Sequence, residues 1–131
     1  MKFTLPSRRD LAYSSLDWHD SKIMPGVRFA VRKTSLAQRI DLAEKTRHLF
    51  ARHEFLRAGD TGDQVEAALG ELMVRRLYLE WGLIGLENLT IDAQAATVGL
   101  LIERGPEALS AEIATVIGDS LTLTQEERKN F

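Results

Sequence analysis

The chain has 131 residues, of which 44% are hydrophobic and 27% charged, with a net charge of −2 and no cysteine. That is enough chain for one domain around one core, and too apolar and too nearly neutral for global disorder. The missing cysteines exclude a disulfide framework and a thiolate metal site, and the sequence has neither a signal-peptide pattern nor a run of about 18 apolar residues, so the expected setting is the cytoplasm.

Charge is divided unevenly. Residues 1–60 hold 12 Lys/Arg against 7 Asp/Glu, and residues 61–131 hold 5 against 12. Two such halves attract each other within one fold, between subunits, or toward charged partners.

In chain order, residues 1–24 scatter Leu11, Tyr13, Leu16 and Trp18 among polar residues without a period, and read as an irregular arm. Pro25-Gly26 signals a turn. Val27, Phe29 and Val31 then alternate with Arg28 and Arg32, the mark of a half-buried strand. Its expected pairing partner is an extended part of the arm, because a lone strand leaves its backbone groups unpaired.

Thr34 or Ser35 suits the N-cap of a long helix reaching about Arg57. At about 100° per residue, Leu42, Leu49 and Leu56 fall together with Ala43 and Phe50, while Asp41, Glu44, Lys45, His48 and Arg52 lie largely opposite. Gly59 is a natural end for it, and Asp63 a natural cap for the next helix. That second helix is expected over Gln64 to Leu86, where Val65, Ala68, Leu69, Leu72, Leu79 and Leu83 align and Met73, Leu77, Trp81 and Ile84 widen the apolar sector. Burial on several sides or a docking surface would account for so wide a sector. Gly82 and Gly85 weaken its last turns by roughly 1 kcal/mol each relative to Ala, unless close approach of another backbone needs them.

Leu89–Asp92 reads as a short extended connector. Thr97 caps a short helix closed by Gly105, and Pro106 starts a third amphipathic helix carrying Leu109, Ile113, Val116 and Ile117 and ending near Gly118. Thr124-Gln125-Glu126-Glu127 matches a capping box. The expected fold is thus mainly α, a single small helical domain over residues 1–131 with a short N-terminal β-strand or hairpin.

Chemistry-bearing patterns are thin. His48, His53 and Glu54 lack the one-turn His spacing of a zinc-protease helix, so no metal or other cofactor is expected. Glu66, Glu71, Glu80, Glu103, Glu107 and Glu112 sit on polar faces or in first turns, where carboxylates favour the helix dipole. With no phosphate loop, nucleophile elbow or dinucleotide fingerprint, an enzyme is not expected. Arg76 and Glu80, four apart inside the apolar sector, are placed to pair along the helix or to meet a partner. The basic set Arg28, Arg32, Lys33, Arg39, Lys45, Arg47, Arg52 and Arg57 is interrupted by acids and carries no nucleic-acid motif. A solvated face or a contact for an acidic protein suits it better.

Four segments, PGVRFAVRKTSLAQRIDLAEKTR (25–47), RRLYLEWGLIGLENLTID (75–92), LLIERGPEALSAEI (100–113) and LTQEERKN (123–130), together resemble small tail assembly chaperones of bacteriophages and prophages. The resemblance implies a non-enzymatic protein of the bacterial host cytoplasm that binds the long tape-measure protein, keeps it soluble and helps recruit tail-tube subunits, itself as a monomer or a homo-oligomer, with no nucleic acid or membrane involved. The alternative within the same setting is a structural tail or head–tail connector subunit retained in the virion. A tape measure is a long helical polymer, so apolar grooves for amphipathic helices are the expected working surface. Amphipathicity puts the expected partner-binding positions at Leu72, Arg76, Leu79, Glu80, Trp81 and Leu83 of the second helix and at Ile113, Val116 and Ile117 of the third.

Overall fold

The computed structural model describes the backbone of residues 10–57 and 63–129 and the side chains of residues 10–51, 65 and 67–121. Strands β1 (Leu16–Asp20) and β2 (Arg28–Arg32) form an antiparallel hairpin with Trp18 opposite Ala30 and His19 opposite Phe29. The extended partner for β2 is therefore a part of the arm. Gly26 supplies a φ of 97° in the turn, a conformation that costs a residue with a Cβ but not glycine.

Helix α1 (Leu36–Arg57) starts where Ser35 Oγ accepts the Gln38 N–H at 3.2 Å, which satisfies one orphan donor of its first turn. Helix α2 covers Asp63–Gly82. The mainly helical expectation fails at its end. Instead of continuing to Leu86, the chain passes directly into strand β3 (Leu83–Glu87), which pairs antiparallel with β2. The strand order is β1-β2-β3, and a second small sheet joins β4 (Thr90–Ile91) to β5 (Gln94–Ala95). The domain is mixed α/β.

Two features produced the difference. Leu79, Leu83 and Leu86 have helical spacing, so periodicity could not separate helix from strand. The hairpin also leaves the second edge of β2 with unpaired backbone groups. Pairing β3 there satisfies them, in a segment where Gly82 and Gly85 disfavour helix and Ile84 favours strand. The register shifts between Ala30 and Val31, which face Gly85 and Leu83, so Ile84 is the extra, bulged residue and is 40% exposed.

The β4–β5 turn is closed by Asp92 and Ala93 at φ 52° and 65°, the two left-handed positions of the tightest hairpin turns. Helix α3 (Val98–Arg104) begins at Thr97, whose Oγ1 accepts the Leu100 N–H at 3.1 Å, and closes at Gly105. Helix α4 (Glu107–Lys129) does not stop near Gly118 but runs through it. Gly118 lies against Tyr78, where a Cβ would meet the ring at 3.5 Å, and a single interior glycine costs a helix only about 1 kcal/mol relative to Ala. Thr124–Glu127 is therefore inside a helix, with no orphan first-turn N–H groups to cap.

The core lies between the sheet and helices α2, α3 and α4. Phe29, Leu101, Leu109 and Ile113 are fully buried, joined by Val27, Val31, Leu79, Trp81, Leu83, Ile91 and Ile117. Gly82 lets α2 and α4 approach closely, since a Cβ there would stand 2.9 Å from Ile117 Cδ1. The hairpin is tied down by Glu112, whose carboxylate accepts Ser21 Oγ–H and the Lys22 N–H, each at 2.7 Å. Across the sheet, Trp18 covers Ala30 and Gly85 and stacks under the Arg28 guanidinium, 5.2 Å from the ring centroid.

Candidate docking groove

The basic set of the sequence separates into two groups. Arg28 pairs with Asp20 at 3.2 Å and Glu87 at 3.4 Å. Arg32 Nε donates to the Trp81 carbonyl at 3.0 Å, satisfying an orphan acceptor at the end of α2. Lys33 meets Asp17 at 3.7 Å and the face of Tyr13, and Lys45 meets Asp41 at 3.0 Å. These cations hold the sheet and helix surface together. Arg39 and Arg47 enter no ion pair among the described residues, and Arg39 Nη2 is buried without an acceptor. The side chains of Arg52 and Arg57 lie outside the described residues.

Arg39 and Arg47 border a groove of 660 Å³ between α1 and α4, with Tyr78 of α2 at its base. On α1 it is lined at 39, 42, 43, 46, 47, 50 and 51, the recurrence of one helix face. Residues 39 to 50 span about 17 Å at 1.5 Å per residue. Leu42 is buried at the bottom, while Ala43 and Phe50 are exposed, Phe50 at 46%. Gly118 and Leu121 form the opposite wall. The groove stays open because α1 presents Ala43, Thr46 and Ala51 where larger side chains would have filled it. Thr46 Oγ1 donates to the Leu42 carbonyl at 2.6 Å, so its hydroxyl is satisfied and the wall it forms is effectively apolar.

The positions expected from amphipathicity are dispersed. Leu79, Trp81, Leu83, Ile113 and Ile117 are 8% exposed or less and belong to the core. Val116 is half-buried against it. Leu72, at 47% exposed, and Arg76 and Glu80 do face out. Arg76 Nε and Glu80 Oε2 pair at 3.2 Å on the surface, the i,i+4 contact their spacing allowed. They border two shallow hollows of 300 and 290 Å³ on α2, with Leu72 and Leu79 at the second. None of the nine positions lines the 660 Å³ groove. The sequence did contain its signal: Leu42, Ala43 and Phe50 share a wheel sector with unusually small residues beside them.

His48 is exposed on α1, and the side chains of His53 and Glu54 lie outside the described residues. Among the described residues no three His, Asp or Glu side chains converge as a metal site, and no helix is long and apolar enough to cross a membrane. No family model, curated protein or solved structure matches the chain.

Proposed function

We propose that this protein is a phage or prophage tail assembly chaperone of the bacterial cytoplasm, which holds helical segments of the tape-measure protein and helps gather tail-tube subunits around it. The observation that carries the reading is the groove between α1 and α4: an apolar floor about three helical turns long, left open beside a well-filled core. Its dimensions suit one face of an amphipathic helix. The segments at 25–47, 75–92, 100–113 and 123–130 supply the phage setting. In this reading the protein works by sequestration, with no bond-making step.

The energetics suit transient holding. Seating three apolar anchors contributes ~5–9 kcal/mol gross, from which the ordering of a client segment subtracts several. An affinity in the millimolar range per segment results, weak enough for release when tube subunits polymerise.

Co-expression with the candidate tape measure tests the proposal. The tape measure should remain soluble and co-purify with this chain, and mass spectrometry of purified particles should find the tape measure without it. A tape measure equally soluble in its absence, or stoichiometric retention of this chain in the particle, would refute the chaperone role; the second result would make it a structural subunit.

A further inference from the structure

We infer that the α1–α4 groove is charge-selective: its occupant is an amphipathic helix of a partner protein that places a carboxylate against Arg39. The inference rests on the reading of the groove as a docking site and adds the chemistry of what docks. Arg39 Nη2 is buried with no acceptor among the described residues, and a buried guanidinium N–H left unmade costs more than an exposed one. A carboxylate is the acceptor that fits a guanidinium in both charge and geometry. Arg47, exposed on the same face about two turns along, adds a second cation to the rim that enters no ion pair among the described residues.

A second copy of this chain is a poorer occupant. Eight of its carboxylates are already engaged: Asp17, Asp20, Asp41, Glu80, Glu87, Asp92 and Glu107 stand in ion pairs, and Glu112 holds the hairpin. Its own exposed helical stripe, Val65, Leu69 and Leu72 on α2, leads into Arg75 and Arg76. Docked in the groove, that stripe would bring Arg75 and Arg76, each already paired with a carboxylate of its own chain, toward Arg39 and Arg47, and so offers them no free acceptor at that end. A partner helix with acids flanking its apolar stripe does offer one.

The test uses the full chain and three synthetic helices of about 14 residues, long enough to span the groove. They share one apolar stripe at i, i+4, i+7 and i+11, and their flanks carry Glu, Gln or Lys. Fluorescence anisotropy should show the Glu helix binding about tenfold to a hundredfold tighter than the Gln helix, with the Lys helix weakest. Arg39→Gln should abolish the preference for Glu over Gln, and Ala43→Trp, which fills the groove from an exposed position, should weaken all three helices. Circular dichroism melting confirms that both variants fold. Equal affinity for the Glu and Lys helices overturns the inference, as does unchanged binding to Ala43→Trp. Self-association of the chain that Ala43→Trp disrupts overturns it too, by assigning the groove to a second copy. Should the chain hold the tape measure while Ala43→Trp leaves that intact, the groove inference fails and the chaperone reading stands. Binding of the Glu helix without any hold on the tape measure does the opposite: the groove keeps its charge selectivity and the chaperone reading falls.

Discussion

Two parts of this molecule carry similar residues and treat them oppositely. In the β-sheet and the α4 face behind it, Phe29, Leu83, Ile113 and Ile117 are sealed at 3% exposure or less, and Arg28 and Arg32 each have acceptors. On α1, Phe50 is 46% exposed, and Arg39 and Arg47 pair with no carboxylate among the described residues. The lesson is that abundance of apolar residues marked the interior of this protein, and scarcity beside small residues marked its open surface. The run LYLEWGLIGLENL is greasy because it passes from a packed helix to a packed strand.

The sharpest way to break that contrast is to truncate one aromatic from each region. Phe29→Ala should cost about 3–5 kcal/mol through cavity formation, whereas Phe50→Ala should cost well under ~1 kcal/mol, both measured by urea unfolding. Comparable losses would mean that the α1 face is as tightly packed as the core. A smaller effect tests the tie between hairpin and helix. Glu112→Ala removes two bonds to a carboxylate and should cost about 1.5–3 kcal/mol, with faster hydrogen exchange at Ser21, Met24 and Val27, and an unchanged exchange pattern would show the hairpin to be held by its apolar contacts alone.

Smaller still is the effect of Ala93→Gly. Ala93 sits at φ 65°, a conformation disfavoured by its Cβ, so glycine should stabilise the fold by about 0.5–1 kcal/mol in thermal unfolding. Last comes Arg76→Gln. The pair with Glu80 is exposed on both sides, and breaking it should cost only about 0.2–0.5 kcal/mol, shrinking further in salt.

Local chemistry made several elements legible in advance. The Pro25-Gly26 turn, the alternation through Val27 and Val31, the caps at Ser35 and Thr97 and the break at Gly105 all appear where side-chain and backbone preferences place them. What was not legible depended on partners distant in sequence. Leu83–Glu87 became a strand because β2 offered an unpaired edge, and Gly118 stayed inside α4, where it lies against Tyr78 of α2. Of the nine positions selected by amphipathicity, only Leu72, Arg76 and Glu80 are clearly outward. Amphipathicity reports that a face is apolar and is silent on what covers it. The groove depended on Ala43, Thr46 and Ala51 being too small to fill their own surroundings, a property of volume rather than of period.

The junction at Gly82 and Leu83 has a mechanical side. Helix and strand meet there with no intervening loop, so there is no slack to absorb a twist. Tyr78, at the base of the groove, stands one turn upstream of that joint. The groove and the three-stranded sheet are therefore joined by one uninterrupted stretch of backbone, with Leu83 paired to Val31 immediately after the helix ends.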